Sequence, residues 1–232
     1  MHPRPGHVPL RIEWTLSSAW VPPAFGLHLD GLVARVVVER ALAGVDASDV
    51  EAARFDELIA DLPFSRFAAE DDAAAWVWTA SLLQVEVVGS ERRYMTTKTP
   101  VHPIAEYTDL GVLSAKGGAK VDTVRGLYKA GSMHYTLEYA TKAVAWCVGD
   151  PDWLADLLGD VDALGGKARL GHGRVHEVEG QLFQMDEDPM ALEHWKLRNM
   201  PVAVDGYAMA HGPLRSPYWR RERARDIWRP RT

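Results

Sequence analysis

From His134 to Gly166 the chain reads as a strand, a helix start and a glycine stop, with almost nothing between them. HYTLEYATKAVAWCV is rich in β-branched, aromatic and small apolar residues, the composition of a half-buried strand. Gly149-Asp150-Pro151 follows at once. An aspartate at the cap with proline at the first helical position starts a helix, because that position has no partner for an N–H anyway. PDWLADLLGDVDAL then buries Trp153, Leu154, Leu157 and Leu158, and Gly165-Gly166 is expected to end it. A strand that feeds directly into such a helix belongs to a mixed α and β fold.

The rest of the chain extends the pattern. PLRIEWTLSS alternates Leu10, Ile12, Trp14 and Leu16 with polar partners, which predicts a strand over 9–18. VPPAFG breaks it. A helix is expected next, with Asp30 as N-cap and Gly44 as its end, although Val36-Val37-Val38 lowers its propensity. DVEAARFDELIADL predicts a second amphipathic helix stopped by Pro63. AAAWVWTASLLQVEVV reads as one long strand, GSERR as a turn, and RRYMTTK as a returning strand. Residues 100–131 hold seven Gly and Pro positions among sparse apolar residues, an insertion of a length that is uncommon unless functional or disordered. After the glycine loop, RVHEVEGQLFQM predicts a final strand. The order approximates βαββαβ, so the expected class is α+β, ferredoxin-like (RRM-type).

Composition narrows the function. With 232 residues and 47% hydrophobic content the chain can bury a substantial core. A net charge of −6 argues against coating nucleic acid by bulk charge, but the charge is uneven. Glu39 to Asp72 holds ten acids and three arginines, whereas Arg215 to Arg231 holds seven arginines and two acids. Cys147 is the only cysteine, so no intrachain disulfide forms, and its apolar setting predicts a buried, inert thiol. MHPRPGHVPL lacks the apolar core of a signal peptide and no apolar run approaches ~20 residues. A cytoplasmic protein without a membrane span is expected.

Against this background LGGKARLGHGRV, residues 164–175, stands out: four glycines, three cations, one histidine and no acid. It lacks the Gly-Lys-Ser/Thr of a P-loop and the GxGxxG of a dinucleotide site, and it follows a helix rather than a strand. Gly165 or Gly166 suits a left-handed helix stop. Gly171 and Gly173 let backbone approach another chain closely, and successive amides in such a loop can cradle an anion. A plain helix cap and turn remains the bland alternative. No HExxH or clustered-carboxylate motif argues for a metal, and no cofactor is implied.

This loop, placed between the second helix and the last strand, resembles the glycine-rich loop of the RAMP superfamily of CRISPR proteins. FGLHLDGLVARVVVE resembles that superfamily's first strand-to-helix junction. Size and layout are most similar to the Cas-five-like subunit of type IV CRISPR effector complexes. The resemblance implies a RAMP domain over 8–185 with a thumb at about 100–131, and a C-terminal extension over 186–232. It implies a non-catalytic subunit that holds the 5′ handle of the crRNA and caps a filament of Cas7-like backbone subunits, beside a large subunit. Target DNA would be met through the assembled complex, in defence against plasmids or phage.

The RNA-binding residues so implied are Gly165, Gly166, Lys167, Arg169, Gly171, His172, Gly173 and Arg174 in the loop. Lys116, Lys120, Arg125 and Lys129 would line the thumb, with Arg92, Arg93 and Lys98 at its base. Backbone and splayed bases, rather than a duplex, would be gripped. Trp76 and Trp78, two apart on a strand, are candidate stacking rings or core residues; Tyr94, Tyr128 and Tyr135 are flanked by cations. The basic tail RSPYWRRERARDIWRPR is either a nucleic-acid or subunit contact or a solvated tail. Some RAMP proteins cut precursor crRNA without metal. His102, His134 and His172 are the candidates for that alternative activity, a metal-independent endoribonuclease, and nothing in their spacing selects one. The third reading is an unrelated ferredoxin-like protein whose glycine loop is only a turn.

Overall fold

The computed structural model describes residues 4–45, 52–97 and 131–231. It comprises two compact units, one formed by Met1–Gly89 with Glu138–Thr232 and the other by Ser90–Leu137. The elements, in chain order, are β1 (Val8–Thr15), α1 (Leu29–Ala41), α2 (Ala52–Leu58), β2 (Arg66–Ala68), β3 (Trp76–Trp78), β4 (Gln84–Thr97), β5 (Gly131–Gly149), α3 (Pro151–Leu158), β6 (Gln184–Glu187), α4 (Ala191–His194), β7 (Tyr207–Gly212) and β8 (Arg225–Pro230).

β1 is the strand its alternation predicts. Leu10, Ile12 and Trp14 are buried while their neighbours are half-exposed. It pairs antiparallel with β5, and the register sets large against small: Leu10 opposite Cys147, Ile12 opposite Ala145, Trp14 opposite Ala143. Such pairing lets an indole lie in the core without displacing the neighbouring strand. On its other edge β1 pairs antiparallel with β6, giving the sheet order β4-β5-β1-β6. Leu29, Leu32, Val33 and Val36 of α1 and Leu154, Leu157 and Leu158 of α3 share the core with these strands. α3 starts as expected: the Asp150 carboxylate accepts from the Trp153 amide at 3.0 Å, with Pro151 in the first turn.

Several boundaries differ from the sequence reading, each for a physical reason. α3 stops at Leu158 rather than at Gly165, because Gly159 is a poor helix interior and Val161, Ala163 and Leu164 are drawn into the core. The expected strand 73–88 divides into β3 and the start of β4. Between them residues 79–83 are buried and bond to scattered partners rather than to one ladder: Thr79 to Ser65, Ser81 to Trp146, Leu82 to Leu197, Leu83 to Leu27. GSERR is no turn; it lies inside the continuous strand β4. The last strand is confined to Gln184–Glu187, since Val178 and Gln181 close a tight turn in which Glu179 and Gly180 have positive φ. Of the expected helix 49–62, residues 49–51 lie outside the described residues, and α2 runs from Ala52 to Leu58.

Asp30 is not the cap of α1. That position belongs to His28, without a side-chain bond, and Asp30 lies in the first turn, fully buried. Its carboxylate accepts from Tyr218 Oη at 2.8 Å and stands 3.4 Å from Arg198 Nη1. Arg198, also fully buried, donates to the carbonyls of Trp78, Ala80 and Leu214 and to Tyr218 Oη. A buried charge persists only when paired and hydrogen-bonded in this way. The network ties the C-terminal residues to α1. Around it β7 and β8 pair as a hairpin, and Met200, Leu214 and Ile227 join Ala75, Val77, Val148 and Trp195 in a second, smaller core.

Candidate nucleic-acid interface

The glycine-rich loop leaves α3 and returns to the segment that follows β1. Leu164 N donates to Gly173 O at 2.8 Å and closes the loop on itself. Gly166 N bonds Val21 O and Gly173 N bonds Ala19 O, both at 2.9 Å. Ser18 Oγ donates to Gly171 O and accepts from Arg174 N. The base of the loop is therefore pinned along residues 17–21.

Two of the glycines are required by the protein's own backbone. A Cβ at Gly173 would stand 1.9 Å from Leu164 O, and one at Gly165 would stand 2.6 Å from Val21 O and 2.8 Å from the Trp20 ring; both have positive φ. Close approach was expected at these positions, and the chain approached is this one. Gly171 is different: its φ is +83° and the space beyond it is open. Lys167 adopts a left-handed conformation, and residues 168–170 form one 3₁₀ turn that carries the exposed Arg169. Arg174 is paired with Asp162, an acid just upstream of the loop. Of the three loop cations, Lys167 and Arg169 therefore occupy the turn, while Arg174 sits at the base beside a carboxylate. His172 is half-buried. The amides of Gly166, Gly171, Gly173 and Arg174 are engaged within the protein, which narrows any anion cradle to the turn itself.

The other expected residues fall elsewhere. Arg92 and Arg93 are exposed on β4 in the second unit, where Arg93 Nε reaches Glu91 at 2.6 Å. His134 and the exposed Tyr94 lie 6.0 Å apart in that unit, ring centre to ring centre. Lys98, His102, Lys116, Lys120, Arg125, Tyr128 and Lys129, and the insertion 100–131 except Gly131, lie outside the described residues. Trp78 is buried in the core and Trp76 meets it edge-on at 4.9 Å. Burial pushes the Cys147 thiol far up, which leaves it inert. Among the described residues no group of His, Cys, Asp and Glu could hold a metal, and no helix is long and apolar enough to cross a membrane.

Sequence reasoning missed the use of the C-terminal arginines. Arg220 and Arg223 both pair with Asp56, at 2.7 and 2.5 Å, and Arg225 pairs with Asp72 at 2.5 Å. The acids belong to the acidic stretch 39–72 and the bases to the basic stretch 215–231. The charge asymmetry was visible; that the two stretches meet each other was not.

Residues 8–230 match the family model described as CRISPR type IV associated protein Csf3. No curated protein matches the chain. Among solved structures it is similar to a crystal structure of a CRISPR protein from Archaeoglobus fulgidus, at 11% identity and a TM-score of 0.32, over 97% of this chain and 86% of that one.

Proposed function

Because this chain belongs to the Csf3 family of CRISPR type IV associated proteins, we propose that it is the crRNA-handle-binding subunit of a type IV effector ribonucleoprotein. The observation that carries this reading is the loop 164–175. Its base is fixed by hydrogen bonds to residues 17–21, and its turn offers Lys167, exposed Arg169 and open space beside Gly171. A rigid base with a cationic tip suits phosphate, since little ordering entropy is lost when RNA arrives. His172 and Arg174 flank the contact.

The ferredoxin-like reading is supported by the sheet order. β1, β4, β5 and β6 with α1 and α3 supply βαββαβ, and β1 lies between β5 and β6, antiparallel to both. The subunit caps a filament of Cas7-like backbone subunits beside a large subunit, and it meets target DNA through the complex. It is non-catalytic.

The experiment is a titration of fluorescein-labelled handle RNA at several salt concentrations. Lys167→Ala with Arg169→Ala is expected to weaken binding and to flatten the plot of log K against log salt by about one to two phosphates' worth. Arg174→Ala alone is expected to do less, because Asp162 already shares its charge. Unchanged affinity in the folded double variant removes the loop from the interface. Metal-free cutting of repeat RNA that is lost in His134→Ala or His172→Ala overturns the non-catalytic role.

A further inference from the structure

Five arginines converge where β2, β3 and the C-terminal residues meet: Arg66, Arg215, Arg220, Arg223 and Arg225. Among the described residues three carboxylates pair with them, and a fourth, Asp61, is paired with Arg4 and acts on Arg66 only through space. Asp56 serves Arg220 and Arg223, Asp72 serves Arg225, and Glu222 stands 3.9 Å from Arg220. Arg66 and Arg215 are left with main-chain oxygens. Arg66 Nη2 donates to Ala60 O at 2.6 Å, while its Nε is buried without a hydrogen-bond partner among the described residues. Arg215 Nη1 reaches Trp76 O at 3.3 Å and Ala74 O at 3.5 Å. A guanidinium has five N–H donors, so most of their capacity is unspent.

Aromatic rings hold these two guanidiniums in place. They lie 4.5 and 4.1 Å from the centre of the Trp76 ring, and Arg66 also lies 4.6 Å from that of Trp78. Burial lowers the Arg215 pKa first, and the like charges of Arg223, Arg225 and Arg66 lower it further; only the Tyr218 phenol acts the other way. Beside it opens a cleft of about 450 Å³ lined by Arg215, Arg223, Arg225, Leu214, Ala74 and Glu222. Trp219, 68% exposed, carries Arg220 5.4 Å from its ring centre.

We propose that Arg215, Arg223 and Arg225, with Arg66 adding its charge from the Trp76 ring, form a phosphodiester-binding site, separate from the loop 164–175, that takes the backbone of a nucleic-acid strand. Partly desolvated like charges repel at a cost that an anion removes, and planar guanidiniums match phosphate oxygens bidentately. A strand is favoured over a lone phosphate because Arg215, Arg223 and Arg225 recur along the one cleft, as the phosphates of a strand do. The site does not depend on the loop reading.

The test uses short labelled single-stranded RNA, single-stranded DNA and duplex DNA of sequence unrelated to the handle, with the full-length protein. Arg215→Gln is expected to weaken binding about fivefold or more and to lower the salt slope by about one. Glu222→Lys, a change at an exposed side chain, is expected to tighten it about threefold, and it decides the matter alone if Arg215→Gln fails to fold. The probe most affected identifies the strand as RNA or DNA. Unchanged affinity for all three probes in the folded variants overturns the site, as does binding of polyglutamate in preference to every nucleic acid. Lys167→Ala with Arg169→Ala, run in parallel, separates the two sites. Its failure on handle RNA sinks only the loop, and failure of Arg215→Gln and Glu222→Lys on the unrelated strands sinks only the arginine site.

Discussion

At the scale of the residue, the glycines of the loop divide by what surrounds them. Gly173 has both positive φ and a carbonyl oxygen where a Cβ would be, so Gly173→Ala combines backbone strain with a main-chain collision. Gly171 has the same φ region with open space beyond. Urea unfolding is expected to show Gly171→Ala costing about 1 kcal/mol and Gly173→Ala costing more than about 2 kcal/mol. Equal losses would mean that the loop's base yields as readily as its tip. Glycine content alone was legible in the sequence. Which glycines face this chain's own backbone was not, because the oxygens they approach belong to Leu164, Val21 and Ala19.

At the scale of the element, local rules located what local forces govern. Period two located β1, and the Asp150-Pro151 signal located the start of α3, because both depend on residues within one or two turns. Asp150→Ala is expected to lower stability by about 0.5–2 kcal/mol in thermal or urea unfolding, since the Trp153 amide loses its acceptor. A loss near zero would show that the cap is replaced by water. Element ends were less legible. The run 73–88 has the apolar content of one strand, yet residues 79–83 break it, because their amides and carbonyls find nearer partners on four separate segments. β4 likewise passes through Gly89 without turning.

At the scale of the whole molecule, acidic and basic stretches far apart in the chain serve one another. The salt links Asp56 to Arg220 and Asp72 to Arg225 join positions 164 and 153 apart, and Asp30 and Tyr218, linked in the interior with Arg198, are 188 apart. His28 stacks on Tyr218 at 4.2 Å, and neither ring nitrogen has a hydrogen-bond partner among the described residues. Burial, then Arg198 and Arg229, hold its pKa well below 6.5. The native state therefore stays neutral there while the unfolded state takes a proton, so stability falls as pH drops below about 6.5, by up to about 1.4 kcal/mol per unit. His7 is shifted in the same direction by burial and Arg4, and adds to the slope. His28→Phe keeps the ring stack and removes one titration. Unfolding measured between pH 7.5 and 5 is expected to show a shallower slope in the variant; an unchanged slope would place His28 in contact with solvent.

Local sequence was enough for the mixed α and β class of the fold, strand β1, the start of helix α3, the inertness of Cys147 and the resemblance to type IV CRISPR proteins, which membership of the Csf3 family bears out. Those features depend on spacing along the chain. Tertiary contacts set the rest: Arg174 is shared with Asp162, Trp78 is core, and Arg66 and Arg215 meet around Trp76. A charge's partner is set by distances of a few ångströms in space, and those arise from contacts up to 188 positions apart in sequence.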